Sequence, residues 1–286
     1  SFNQELYLQT LKNSKNMGAA ASRNIAIRKV KGDIIIFLDN DTEVRKNWIS
    51  ELIKPILDDS SIGASQALLL DFKKRDQIQM AGGLLIPHTG WLIPFHQWKK
   101  HNKVKLVERN IVAISAALAV RRDVFEKTHG FDEKEAIYTE DLDFCWRIWI
   151  VGYRIVLAPR SIVFHWTKSV EKRSGMKASY RQIYFNLAKN SFRSIVKNYE
   201  FINVIRYLPI SFLINIGRGF VFLITRRKVD ALVGSLEGVK WLFNNLSDTL
   251  KVRRTLQSRR RFRDKYLMKR IFTSMNLIRV YNKYFR

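Results

Sequence analysis

Residues 34–38 read Ile-Ile-Ile-Phe-Leu and empty directly into Asp39-Asn40-Asp41. A short apolar run of this kind is a buried strand. Burying charge without a partner costs several kcal/mol, so the two carboxylates at its end require something cationic. About a hundred residues later a second acidic cluster appears, Glu140-Asp141-Leu142-Asp143. Two such clusters in one chain point to a divalent metal site and a separate catalytic carboxylate.

Around the strand, helical and extended patterns alternate. Residues 19–30 carry Ala and Ile at helical spacing and stop at Lys31-Gly32. The run 33–38 reads as a parallel strand. Residues 48–57 return to a helical period, with Trp48, Leu52, Ile53 and Ile56 on one stripe, and 62–70 form another strand. A strand over 111–121, a helix over 122–129, a turn at Gly130-Phe131-Asp132, a helix over 141–151 and a strand over 153–158 closing at Pro159 complete the pattern. It predicts an α/β fold with helices on the faces of a sheet. Residues 81–98 differ, because glycines and prolines are interleaved with Trp91, Phe95 and Trp98. They read as a long loop over a site, with Trp91 on the acceptor side, or as a hydrophobic surface hairpin.

Charge divides the chain near residue 170. Of the net charge of +26, residues 1–170 hold +6 and residues 171–286 hold +20. The two parts are read as a catalytic domain over 1–170 and a helical, basic region over 171–286. A basic surface attracts polyanions, either nucleic acid or anionic lipid. No zinc-ligand spacing or RNA-recognition signature is present, so no specific nucleic-acid partner is expected, whereas an anionic membrane surface is. Residues 202–224 are rich in Ile, Leu and Phe, but Arg206, Pro209 and Arg218 interrupt them. The 11 residues between the two arginines are too few to cross a hydrocarbon core of roughly 30 Å. An in-plane amphipathic segment fits better than a buried helix or a span, and Arg226-Arg227-Lys228 flanks it. The basic run 253–270, centred on Arg259-Arg260-Arg261, reads as a solvated helix face or as one touching lipid. The single cysteine, Cys145, excludes an intramolecular disulfide framework and fits a reducing compartment.

Several residues carry the candidate chemistry. Carboxylates at the end of a strand in an α/β sheet lie where such folds bind ligands. Asp39 and Asp41, at i and i+2, could reach one Mg²⁺ or Mn²⁺, ions that prefer oxygen ligands; capping of the next helix is the plainer alternative. Asp141 is the candidate general base, with Glu140 and Asp143 holding the turn or orienting an acceptor; a helix N-cap is the alternative for Asp141. His165 ends the apolar run 162–164 and is either a satisfied core residue or a further metal ligand.

In combination these residues resemble the family 2 glycosyltransferases with a GT-A fold, especially rhamnosyltransferase-like members. The matching pieces are Asn16-Met17-Gly18, Ser22-Arg23-Asn24, Gly32-Asp33, the run Phe37 to Thr42, Val120 to Phe125, Gly130-Phe131-Asp132-Glu133, Thr139 to Asp143, Gly152-Tyr153-Arg154, Phe164-His165 and Lys189-Asn190. The resemblance covers roughly residues 10–200. It implies a mixed GT-A sheet flanked by helices and an inverting sugar transfer from a nucleotide-diphosphate sugar to a glycan or lipid-linked acceptor. By the same resemblance Asp39 and Asp41, with Asn16 and Arg23, hold nucleotide and metal, His165 joins the metal, and Asp141 is the base. Membrane-associated polysaccharide biosynthesis at the cytoplasmic face is the expected setting. A degenerate, non-catalytic or nucleic-acid-binding protein on the same scaffold is the alternative. Two departures stand out. Members of the family begin with a strand and an Asn-bearing turn upstream of the Asn16 match, so the chain is expected to be an N-terminally truncated piece. Ser115-Ala116-Ala117 stands where many relatives have Gly-Ala, and the Ala116 methyl is expected to narrow the acceptor side.

Overall fold

A computed structural model describes residues 8–166 and 179–274. Its centre is a mixed sheet built from β1 (Ile34–Leu38), β2 (Thr42–Val44), β3 (Ile62–Asp71), β7 (Ala117–Arg121) and β8 (Arg154–His165), in the order β1-β7-β3-β8-β2, with β4 (Ile78–Met80) beside β3. A two-stranded hairpin, β5 (Gly83–Leu85) and β6 (Leu92–Pro94), lies apart from it. Residues 81–98 are therefore the hairpin of the two readings above.

The central strand β3 is buried along almost its whole length, and its side chains alternate between two cores. Ala64, Leu68 and Leu70 face a core shared with α1 (Gly18–Ile27), α3 (Arg122–Lys127) and α4 (Glu140–Ile150). Ile62, Ala67 and Leu69 face α2 (Trp48–Asp58) through the fully buried Leu52 and Ile56. Truncating either side chain to Ala should cost about 2–5 kcal/mol, read as a lower midpoint in chemical denaturation.

Three strand expectations change. β1 is not parallel to its neighbour but antiparallel to β7, from Ile34 opposite Arg121 to Leu38 opposite Ala117. An apolar run reports burial, not direction. The strand expected over 111–121 begins only at Ala117; residues 110 and 112 make isolated bridges instead. The strand expected to stop at Pro159 continues to His165. The ladder with β3 steps from Ala67 opposite Ala158 to Leu68 opposite Ile162, so the proline falls in a bulge where no amide is needed.

The C-terminal helices are α5 (Tyr180–Asn198), α6 (Phe201–Arg226), α7 (Asp230–Asn244), α8 (Leu246–Ser258) and α9 (Asp264–Met268). Helix α7 approaches α5 closely, because Gly234 and Gly238 carry no side chain there. A Cβ on Gly238 would sit 2.7 Å from the Ala188 Cβ. The chain then returns to the sheet domain, where Phe272 packs on Trp146 and Tyr199 and its neighbours pair with Leu85. One hydrophobic core thus includes residues from Ala20 to Phe272. The expected boundary near residue 170 lies outside the described residues.

Two further expectations change in this region. Arg206, Pro209 and Arg218 do not interrupt the apolar stretch: α6 is a single helix of 26 residues. It is the one helix among the described residues long and apolar enough to cross a membrane by length and composition. The basic run around Arg260 is not a solvated helix face. Helix α8 ends at Ser258, the Arg261 amide donates to the Ile150 carbonyl, and the buried Arg260 pairs with Asp264.

Candidate active site

Strand pairing assembles the first acidic cluster. β2 lies antiparallel to the end of β8, with Thr42 opposite His165, so the Asp39–Asp41 turn meets the histidine. The Trp166 amide donates to the Asp41 carbonyl, and the Thr42 hydroxyl closes the turn onto the Asp39 carbonyl at 2.6 Å. One ligand atom from each of Asp39, Asp41 and His165 lies within 4.8 Å of the others. His165 Nε2 is 3.4 Å from Asp41 Oδ1, while its Nδ1 is 2.7 Å from Gln79 Oε1. An amide oxygen only accepts, so Nδ1 donates to Gln79 and Nε2 is turned toward the carboxylates. Two carboxylates and an oriented imidazole are a donor set that suits Mn²⁺ or Mg²⁺.

Arg23, on α1, ties the two acidic clusters together. Its guanidinium bonds Asp39 at 3.2 Å and Glu140 at 3.1 Å. On the same helix Asn24 receives the Phe131 amide and donates back to the Phe131 carbonyl. The turn before it needs Gly130, whose φ is +65° and whose Cβ would sit 2.7 Å from the Asn24 side chain. The following loop is strained: Ala136 and Tyr138 both have positive φ. Its Ala136 carbonyl accepts from Ala19 at the start of α1. Asn190 on α5 clamps the same loop at the Glu135 and Ile137 carbonyls, and Lys189 holds the Lys134 carbonyl.

Asp141 follows that loop in the first turn of α4. It is not the N-cap, which is Thr139. Its Oδ2 accepts from the Ser115 amide at 3.2 Å and its Oδ1 from the Leu142 amide at 2.8 Å. The carboxylate lines a cavity of about 380 Å³ with Ile86, Ile93, Ile114 and Tyr138. Burial raises its pKa, opposed by the charge of Arg23 and the two amides. Glu140 is pushed up to about 7, first by burial and then by the charge of Asp141.

The remaining expected site residues are placed differently. Asn16 accepts from the Gly18 amide and closes the turn into α1. Trp91 packs beside Ile86 and Ile93 of the hairpin, under the Arg218 guanidinium. Asp143, expected on the acceptor side, is not among the residues lining the Asp141 cavity. It is buried against Arg147 and Lys197. The Ala116 methyl packs in the α2-side core and narrows nothing; its carbonyl accepts from the Asp39 amide.

Sequence reasoning missed Gln79, Glu135, Lys197 and Arg193. A polar residue inside an apolar run was the available signal for Gln79, which sits at Ile78-Gln79-Met80. The others form a buried ionic cluster in which Lys197 contacts Asp132, Glu135 and Asp143. Their acidic atoms lie close enough together for a cation, and the Lys197 ammonium is that cation.

A mixed sheet covered by helices, with paired carboxylates where a turn leaves its edge, defines the GT-A class of nucleotide-diphospho-sugar transferase folds. A crystal structure of GalNAc-T7 with UDP, GalNAc and Mn²⁺ superposes with a TM-score of 0.58 at 17% identity, over 92% of this chain and 45% of that one. Residues 4–128 match the family model for glycosyl transferase family 2. It is 24% identical over 180 residues to mouse polypeptide N-acetylgalactosaminyltransferase 15, covering 58% of this chain and 27% of the relative. It is 28% identical over 152 residues to the O-antigen biosynthesis protein RfbC of Myxococcus xanthus, covering 51% and 12%. The chain spans less than a third of the length of these curated relatives.

Proposed function

We propose that this chain moves a sugar from a nucleotide-diphosphate sugar to an acceptor hydroxyl with inversion, using Asp141 as general base. The observation that carries this reading is the juxtaposition of two different acidic groups across Arg23. One is a set of ligands, Asp39, Asp41 and His165; the other is a single carboxylate open to a cavity. A divalent ion held by the first group would neutralise charge on the departing diphosphate. Asp141 takes the proton of the acceptor hydroxyl as its oxygen forms a bond to the anomeric carbon and the bond to the diphosphate breaks. Raised by burial, the Asp141 carboxylate is a better proton acceptor than an exposed one. The hairpin walls, Ile86 and Ile93, exclude water from the acceptor side.

The test is transfer and hydrolysis across a panel of nucleotide-sugars, with and without Mn²⁺. Chelation should abolish turnover and restoration of Mn²⁺ should recover it; activity indifferent to chelation removes the metal from the reading. A Gln79→Leu variant should bind Mn²⁺ about 10–100-fold more weakly, because the His165 tautomer is no longer fixed. Titration of Mn²⁺ by calorimetry measures this directly, and unchanged affinity would detach Gln79 from the site.

A peripheral place on the cytoplasmic face of a membrane belongs to the same proposal. It is supported by the exposed side of α6, where Ile202, Ile205, Leu213, Phe220, Val221 and Ile224 face outward. The other side of α6 packs on α5, α7 and the hairpin, and α5 buries Lys189, Arg193 and Lys197. A helix with a charged bundle on one flank lies on a bilayer rather than through it. Arg226, Arg227 and Lys228 are exposed at its end and suit anionic lipid. Flotation with anionic liposomes should fall at least about fivefold in a Leu213→Glu/Ile224→Glu variant, because two apolar anchors become charged. Equal flotation of both proteins would remove α6 as the contact.

A further inference from the structure

Two basic segments far apart in sequence are stitched side by side. One is the turn between β3 and β4, with Lys73, Lys74 and Arg75. The other follows the β5–β6 hairpin, with Lys99, Lys100, Lys103 and Lys105. Backbone bonds join them. The Trp98 amide donates to the Ile78 carbonyl at 2.7 Å, and the Ile78 amide to the Lys99 carbonyl at 2.8 Å. The His101 amide donates to the Asp76 carbonyl at 2.8 Å. Acids at this patch are few. Arg75 pairs with Glu43, Lys100 pairs with Asp76, and Asp71 accepts from the Lys73 and Lys74 amides. Lys73, Lys74, Lys99, Lys103 and Lys105 are exposed and form no ion pair among the described residues.

The patch is concave and adjoins the cavity that holds Asp141. Lys99, Lys100, Lys103 and Lys105 line a second cavity, of about 580 Å³, with His96 and Val104. One stretch of chain serves both cavities: Pro94 and Gln97 line the first, His96 and Lys99 the second. Strand β4 lies at the same junction, since its Met80 lines the Asp141 cavity and its Gln79 holds His165. Within the shared stretch, Trp98 is 50% exposed. Both His96 and Trp98 have positive φ, +54° and +64°. Bulky residues adopt that backbone only against strain, which concentrates where proteins clamp ligands. Burial, then the charges of Lys99 and Arg109, lowers the His96 pKa, as a strongly positive neighbourhood requires. Unpaired ammoniums and an exposed indole therefore meet where the Asp141 cavity continues outward.

We infer that this groove binds an acidic glycan, a chain of pyranose sugars bearing carboxylates, and that the acceptor hydroxyl belongs to such a chain. This rests on the reading of the Asp141 cavity as the acceptor side. The lysines hold carboxylates of sugars outside that cavity and take no part in bond making. Ammoniums on flexible stems suit a repeating anion, because each is a mobile point charge with three donors. The indole face packs on the C–H face of a sugar ring, which selects a glycan over polyanions without rings. A membrane surface is flat, whereas these ammoniums line a concavity.

The full chain should bind hexagalacturonate about tenfold more tightly than its methyl ester, which keeps the rings and removes the charge. A Lys99→Gln/Lys103→Gln/Lys105→Gln variant should lose that preference, and its exposed positions let it fold as the parent does. Trp98→Asn should weaken hexagalacturonate about fivefold and leave polyphosphate binding unchanged, since asparagine tolerates the left-handed backbone. Gln97→Trp, which obstructs the Asp141 cavity, should weaken hexagalacturonate about threefold. Equal binding in that variant overturns the acceptor role. A parent without the preference, or a preference that survives in the lysine variant, overturns the groove. Polyphosphate, single-stranded DNA or anionic liposomes binding the parent as tightly as hexagalacturonate would overturn the glycan assignment. Binding of UDP or GDP with Mn²⁺, measured on the same preparations, separates the two readings. Nucleotide binding without the glycan preference sinks the groove alone, and the preference without nucleotide binding sinks the donor site alone.

Discussion

An Asp141→Asn variant is expected to transfer sugar about a thousandfold more slowly than the parent chain while binding nucleotide with equal affinity. The carboxylate accepts two backbone N–H bonds, from Ser115 and Leu142. An asparagine oxygen can keep one of them in the same rotamer, so the turn into α4 survives. What the amide loses is basicity: it cannot take a proton from an acceptor hydroxyl. The nucleotide side is insulated from the change, because Asp39 and Glu140 remain bridged by Arg23. Initial rates over a pH series, beside calorimetric titration with nucleotide, read the two effects separately. Turnover equal to the parent would sink the general-base assignment. A parallel loss of nucleotide binding would show instead that Asp141 belongs to the donor site.

Much of this site was legible in the sequence because its parts are local. Asp39 and Asp41 end a strand whose apolar run is five residues long, and Asp141 opens a helix whose first turn is acidic. Those patterns survive without knowledge of their neighbours. The partners did not. Gln79 reaches His165 across 86 positions, and Lys197 reaches Glu135 across 62. No periodicity reports a contact of that range. Direction and continuity of strands were equally hidden. The antiparallel course of β1 is set by β7, and the passage of β8 through Pro159 depends on a step in its ladder with β3. Asp143 shows the same limit at finer scale. The two acidic residues shortly before it, Glu140 and Asp141, face Arg23 and the cavity, while helical rotation turns Asp143 inward to Arg147, four residues on.

That inward cluster sets the second large expectation, a loss of about 3–5 kcal/mol in a Lys197→Met variant. Lys197 is fully buried and contacts Asp132, Glu135 and Asp143, the latter two at 2.9 Å. Arg193 also holds Asp132 and Arg147 also holds Asp143, so those carboxylates stay charged, held below the usual range by their cations against burial. Glu135 has no such second partner. Burial, then the charge of Asp143, raises its pKa to about 8. Glu135→Gln should therefore be close to neutral at pH 7, whereas Lys197→Met removes the ammonium from between three acids. The sign with pH follows. Between the ordinary glutamate value of 4.5 and about 8, the folded state keeps a proton on Glu135 that the unfolded chain has released. Stability conferred by that proton falls as pH rises through this window, and Glu135→Gln should flatten the fall. Chemical denaturation of the three proteins between pH 5 and about 9 measures both effects. A Lys197→Met midpoint equal to that of the parent would mean that the ammonium contributes nothing net. A parent and Glu135→Gln pair with parallel pH curves would mean that Glu135 is ionised in the fold. Because this cluster joins α5 to the first turn of α4, its loss should also loosen the loop that presents Asp141.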